Sequence, residues 1–488
     1  MLNARERAHP LAFSEYPLNL PQQALLGANP ASLRERLVEH VWSISAKKTL
    51  HFEVFESKPN AKLPTKRTIQ DQSTAEQAIS VPQSEGFDCK IFCLVQKDSL
   101  RPFLITAPLL WNLLDTYKIP AHFLDVLFAV HTETHIAEES YGNVFLQTLV
   151  EPSPAFELSY QLKYVEANHR PSAFPWSTRR TEVFSRIWNA GEGVKSFWLI
   201  FHPKEDSELS NRISQKAQEQ SQWSVIRQNP VRQHIDILST YLGNWRPFLG
   251  DLGTQYSELK MLLWTTEFED EANFNRVLNF KSMRSLRGLE ERVQMAEVIL
   301  SQTANLLQVL IELNQNIFQS GMSDHKEFTI TENALNAIRV KLDGHQNSAQ
   351  ALEIRIQGIL KLVTDALNLK NQSAAAKSQK TAADNQAVAT EISKGVYALT
   401  LDSVDDSAIA RTVTLATLIY LPASFVATLF GMNFFDFNNK TQRMSISKDA
   451  WIYLLVTIPL TAVTGVIWWH AARNHRMKRE LRERPPQA

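Results

Sequence analysis

Thr412-Val-Thr-Leu-Ala-Thr-Leu-Ile-Tyr-Leu-Pro-Ala-Ser-Phe-Val-Ala-Thr-Leu-Phe-Gly-Met-Asn-Phe-Phe435 contains no charged side chain. A second apolar run, Ala450 to Ala472, follows after a short loop and holds none except His470 when protonated. At about 1.5 Å of rise per helical residue, each run is long enough to cross about 30 Å of hydrocarbon. The pattern predicts a large N-terminal body, a transmembrane hairpin and a short tail. Gly431-Met432-Asn433, where the first run ends, points to an ion pathway.

Composition alone hides this organisation. The 488 residues carry 51 basic and 51 acidic side chains, a formal net charge of zero. Mean hydropathy is slightly negative at -0.23, because the N-terminal body dilutes the two runs. A chain of this length predicts roughly two to four domains. The two cysteines, Cys89 and Cys93, share one apolar stretch. On a strand they lie on one face, too far apart to bridge, which predicts buried free thiols in a reducing compartment. The segment Met1-Leu-Asn-Ala-Arg-Glu-Arg7 has no apolar signal core, so the N-terminal body is expected in the cytosol.

Proline divides the chain. Seventeen of 21 prolines lie at or before Pro247, and the next is Pro422. Proline breaks helix interiors, so the stretch between them permits long helices. Before it come β-type runs at Leu50–Phe55, Cys89–Val95, Phe156–Val165 and Ser196–Phe201. In the third, Phe156, Leu158, Tyr160, Leu162 and Tyr164 alternate with mostly polar residues, the period of a half-exposed strand. Helical patterns at Leu109–Tyr117 and Ile119–Val130 lie between these runs. Residues 1–245 therefore read as a cytosolic α/β domain, with Lys58 to Glu85 as a polar, mobile insertion. Residues 246–345 read as long antiparallel helices, with a broad apolar stripe from Leu286 through Val293 and Leu300 to Leu313. Residues 346–411 form the cytosolic part of a stalk helix, 412–472 the hairpin and 473–488 a basic tail. The polar stretch Lys370 to Thr390 can be a linker or a helix; its alanines and lack of glycine and proline favour helix. So long and polar a stalk needs neighbours, from preceding helices or from identical chains in a coiled-coil-like assembly. The fold class expected is an α+β membrane protein.

Six basic residues, Arg473 to Arg484, follow the second run, against Lys440, Arg443 and Lys448 in the loop. The positive-inside bias places both termini in the cytosol. Trp468 and Trp469 suit the inner interface; Phe434, Phe435, Phe437, Trp451 and Tyr453 suit the outer one. In the first run Thr414, Thr417, Leu421, Ser424 and Thr428 recur at three and four and share one helix face. Rings of hydroxyls around a ring of leucines would make a weakly polar tube with a dewetting constriction, given several copies around an axis. The same residues can equally pack helix against helix in lipid.

Leu421-Pro-Ala-Ser-Phe-Val-Ala-Thr-Leu-Phe-Gly-Met-Asn-Phe434, followed by a short loop and a final span, resembles the signature of the CorA family of divalent-cation transporters. The close match covers about 25 residues, and the layout match runs from about 250 to 480. The N-terminal third carries no recognisable motif of the family, although an α/β domain is what the family has there. The proline-rich, insertion-bearing character of that domain is similar to divergent fungal members.

The resemblance implies a homopentameric funnel with the first span lining the pore. Gly431 and Asn433 would form the outer selectivity ring and Met432 would fix the turn. Leu421 would be the hydrophobic gate, with Thr417, Ser424 and Thr428 along the lumen. Magnesium dehydrates reluctantly, so a filter of amide and carbonyl oxygens would meet the hydrated ion through its water shell. No covalently bound cofactor is expected, only the transported divalent cation. The implied partners are the chain itself, the lipid bilayer and divalent cations, with no nucleic acid.

Two departures from the family stand out. An acidic segment usual in the family's outer loop is missing, and the loop from Phe434 to Asp449 sums to +1, from three bases against Asp436 and Asp449. Those two aspartates would have to substitute for it. The family's cytosolic metal-sensing carboxylates have one counterpart in Glu267, Glu269, Asp270 and Glu271, a run that also suits a solvated helix face.

His131-Thr-Glu-Thr-His135 lacks the glutamate directly after its first histidine that a zinc protease helix needs. Gly191-Glu-Gly193 reads as a turn. With no phosphate loop or nucleophile motif, the chain is expected not to be an enzyme. The principal reading is magnesium transport at the plasma membrane. The alternatives are a zinc or other transition-metal transporter, or a transport-incompetent, membrane-anchored sensor or scaffold.

Overall fold

A computed structural model describes residues 15–59, 61–80, 86–99, 101–131, 142, 144–149, 154–168, 174–191, 193–264, 280–429, 435–438, 443–446, 448 and 450–482. The chain divides into two compact units, Met1–Leu367 and Asn368–Ala488.

The first unit is built on a seven-stranded mixed sheet. In chain order its strands are β2 (Phe52–Ser57), β3 (Thr65–Ile69), β4 (Cys89–Val95), β6 (Val144–Leu149), β7 (Ala155–Ala167), β8 (Trp176–Asn189) and β9 (Val194–His202). Their spatial order is β3-β2-β4-β9-β8-β7-β6. All neighbours are antiparallel except β4 and β9, which pair in parallel with Cys89 opposite Ser196 and Val95 opposite His202. A small parallel pair, β1 (Ser45–Ala46) with β5 (Phe103–Thr106), stands apart.

Both faces of the sheet are covered. Phe52, Val54, Phe92, Leu94, Phe197, Leu199 and Phe201 pack with residues of α2 (Pro30–Ile44), α4 (Ala107–Thr116) and α5 (Ala121–Phe128). Phe55, Cys89, Ile91, Cys93, Trp198 and Ile200 point the other way. They join α6 (Glu208–Lys216), α7 (Gln220–Gln228), α8 (Val231–Leu242), α9 (Trp245–Trp264), α10 (Phe280–Gln319) and the start of α11 (His325–Leu429) in a second core. Neighbouring side chains on a strand alternate faces, so a strand covered twice is buried throughout, as β4 is; its one charged side chain, Lys90, pairs with Glu56 at 3.3 Å and donates to the Ala78 carbonyl at 3.0 Å. α1 (Gln22–Leu25) is a single turn. Helix starts follow local chemistry: Asn29 accepts from the Ala31 amide before Pro30 opens α2, and Ser207 accepts from the Ser210 amide at the start of α6.

Two expectations are corrected. The described part of the polar insertion from Lys58 holds regular structure: Arg67 of β3 pairs with Val54 of β2, and α3 (Gln72–Ile79) is capped by Asp71, which accepts from the Thr74 amide. Its polarity is that of an edge strand and a surface helix. β7 is not half-exposed, because Glu157, Ser159 and Gln161 are buried with their apolar neighbours. Arg186 satisfies Glu157, and Gln161 donates to Glu182 at 3.1 Å, so these two polar side chains are held by pairing instead of by water. The cysteines lie free and buried on one face of β4; burial pushes the Cys89 thiol up to about 12 and Cys93 higher still. Gly191 and Gly193 take positive φ, and the Ala190 amide donates to the Gly193 carbonyl, closing the β8–β9 hairpin.

In α10 the apolar stripe from Leu286 to Ile317 is buried, and α11 continues the core through Leu335, Leu342, Ile356 and Val363. The Lys370–Thr390 stretch is helical and lies within α11. In the second unit, the C-terminal part of α11 is joined by a two-stranded antiparallel ladder, β10 (Phe435–Asn438) with β11 (Arg443–Ile446), and by α12 (Ala450–Arg482).

Candidate functional site

Among the described residues, the two segments long and apolar enough to span a membrane are Ala410–Thr428 of α11 and Trp451–His470 of α12. Only 11% and 6% of them are buried, which separates them from the core helices of a water-soluble domain. Tyr420, Phe425, Trp451, Ile458 and Ile467 all lie open, an apolar surface that water does not tolerate at this extent.

Where the spans meet, burial is narrow. Pro422 and Val426, four residues apart, are the buried positions of the first span among its described residues. The Tyr453 hydroxyl donates to the Ala423 carbonyl at 3.2 Å and ties the second span to the same turn. Tyr453, expected as an outer-interface anchor, therefore also joins the spans. Nothing in the spacing of the sequence singled out this tie, since it needs two helices brought side by side.

Thr414, Thr417, Leu421, Ser424 and Thr428 are exposed on α11. At about 100° per residue, their stripe is centred roughly opposite Val426 on the helix. Thr414, Thr417 and Leu421 also form one wall of a cavity of about 520 Å³, whose other wall is Thr464, Ile467 and Trp468 of α12. Ser424 and Thr428 lie beyond it. Each hydroxyl donates to its own helix: Thr414 to the Ala410 carbonyl at 2.6 Å, Thr417 to Val413, Ser424 to Leu421 at 3.1 Å, and Thr428 to Ser424. Their donors satisfied, the hydroxyl oxygens present lone pairs outward, a weakly electronegative lining without fixed charge.

Gly431, Met432, Asn433 and Asp449 lie outside the described residues, as do Glu267, Glu269, Asp270, Glu271 and His135. His131 ends a 3₁₀ turn. Asp436 falls in β10 opposite Ser445, so the loop between the spans contains a ladder that its few β-type residues did not signal. Among the described residues, no group of three or more His, Cys, Asp or Glu side chains is placed to hold a metal.

The sequence pattern of the CorA-like transporters matches residues 10–259. The chain belongs to the CorA-like transporters. The matched region is the mixed-sheet domain and the helices after it, where direct reading found no motif, while the Gly-Met-Asn signature lies outside it. As a CorA-like transporter the protein is an integral membrane protein with two candidate spans. One curated relative, "Notoamide biosynthesis cluster protein M'" of Aspergillus versicolor, is 43% identical over 61 residues. That match spans 12% of this chain and 13% of the relative's length. The cytoplasmic domain of ZntB from Vibrio parahaemolyticus is similar at 12% identity, over 64% of this chain and 99% of that one, with a TM-score of 0.33. Full-length CmaX is similar at 12% identity, over 88% and 99%, with a TM-score of 0.39.

Proposed function

We propose that this CorA-like protein is a homopentameric channel for hydrated divalent cations, magnesium first among them, in the plasma membrane with both termini in the cytosol. The observation that carries the reading is the uneven first span. Pro422 and Val426 are buried, while a stripe of hydroxyls around Leu421 stays exposed; Thr414, Thr417 and Leu421 share a cavity with the second span, and Ser424 and Thr428 lie beyond it. Two spans per chain cannot enclose water, so several copies must turn that stripe toward a common axis. Leu421 would then form an apolar constriction that gates by dewetting, between rings of Thr417 and Ser424. The sequence continues from this stripe into Gly431-Met432-Asn433. Five Asn433 amides would accept hydrogen bonds from the ion's water shell, favouring entry without holding the cation too tightly to leave.

Ion-resolved uptake into proteoliposomes tests this. Magnesium influx through the wild-type protein should fall at least tenfold in Asn433→Ala; equal influx in the two would remove the proposed filter. Zinc influx exceeding magnesium would assign the transition-metal reading. The outer loop's net +1 favours a second reading, a membrane-anchored scaffold, which predicts no flux of either ion at any protein density.

A further inference from the structure

A basic cleft lies between α9 and α11 inside the first unit, away in sequence from both spans. Its walls include Arg246, Gly250 and Gly253 of α9 and His345, Ser348 and Arg355 of α11, and its volume is about 360 Å³. The positions recur at three, four and seven, so each set shares one helix face. No carboxylate lines the cleft. Neither arginine has an ion pair or a side-chain hydrogen bond among the described residues. His345 feels the resulting field: burial first, then the charges of Arg246 and Lys341, hold its pKa below the ordinary value. Gly250 and Gly253 keep the floor bare. A Cβ on either would meet nothing within 4 Å, so close helix packing does not account for them. Glycine is also a poor helix former, which makes two of them in one helix costly without another use.

We propose that this cleft binds a phosphate-bearing anion held between Arg246 and Arg355. Guanidinium forks match phosphate oxygens bidentately, and one anion would neutralise like charges that no carboxylate lining the cleft offsets. The volume suits a small molecule, and with no Phe, Tyr or Trp in the lining to stack on a base or ring, the phosphate itself is what is recognised. The assignment does not depend on what the spans conduct.

Calorimetric titration of the purified full-length protein, in detergent and magnesium-free buffer with pyrophosphate as probe, tests it. Saturable binding is expected, at least tenfold weaker in Arg246→Gln and in Arg355→Gln and unchanged in Lys377→Gln. Ala351→Glu, which sets a carboxylate in the wall, should abolish it. Both arginines are exposed, so their variants should unfold at the wild-type temperature. If one does not, Arg355→Lys, which keeps the charge but loses the fork, should still bind more weakly than wild type. Glycerol 3-phosphate and phosphoinositide mixed micelles, run as separate arms, distinguish a soluble phosphate from a lipid headgroup. Binding in either arm with the same arginine dependence supports the site. Absence of saturable binding, or equal affinity in wild type and both arginine variants, overturns it.

Discussion

His202 and His234 are buried and His122 is half-buried in the first unit, and desolvation pushes each pKa down to about 3, with the charge of Arg186 adding to the effect at His122. His234 hydrogen-bonds the Tyr160 hydroxyl at 3.0 Å and the Ser185 hydroxyl at 3.1 Å, against the Trp198 ring. His202 meets the Ser207 hydroxyl at 2.9 Å. Between pH 3 and about 6.5 the unfolded chain binds protons at these rings that the folded chain does not. Stability is therefore full above about pH 6.5 and declines as pH falls, by up to about 1.4 kcal/mol per pH unit for each histidine. Denaturant unfolding between pH 7 and 5 should show the decline, and His202→Gln should lower its slope by one proton. An unchanged slope would mean that His202 is protonated inside the fold. No residue spacing announces these histidines as neutral; only their enclosure does.

At the scale of elements, α10 and α11 are held by an apolar stripe that the helical period already displayed. Their contact also contains a strained pair. Burial first, then a hydrogen bond to Glu353 and its charge, raises Glu297 to about 7. Gln294 and Gln357 both donate to Glu353, at 3.1 and 3.2 Å. Because the folded pKa lies above the unfolded one, the penalty is absent below about pH 4.5 and grows as pH rises through 7. Glu297→Gln should raise the thermal midpoint at pH 8 and make little difference at pH 4.5; a lower midpoint at pH 8 would contradict the pairing. The polar face of β7 and the β3–α3 segment differ from what the sequence pattern predicts for a related reason. Alternation marks which residues share a face but not how many layers cover it, and a polar segment gives no hint that a sheet edge awaits it.

For the whole molecule, a chain of 55.6 kDa with two nearly unburied spans should be found as an assembly. Native mass spectrometry from detergent should give five times the chain mass; a monomer or dimer in lipid nanodiscs as well as in detergent would remove the proposed axis. Such an assembly would cover the exposed face of α11 from Val388 through Ile392 and Val396 to Leu399. The sequence by itself determined the two spans, the β-type run Cys89–Val95, the long helices after Pro247 and, through Gly431-Met432-Asn433, the family resemblance. These are local signals, carried by length, period and adjacent residues. Only the tertiary structure decided that β4 lies beside β9, about a hundred residues away, that Tyr453 ties the spans, and that Arg246 faces Arg355 across a cleft. Those pairings come from long-range packing, in which the contacts of each residue depend on elements that its neighbours in sequence do not specify.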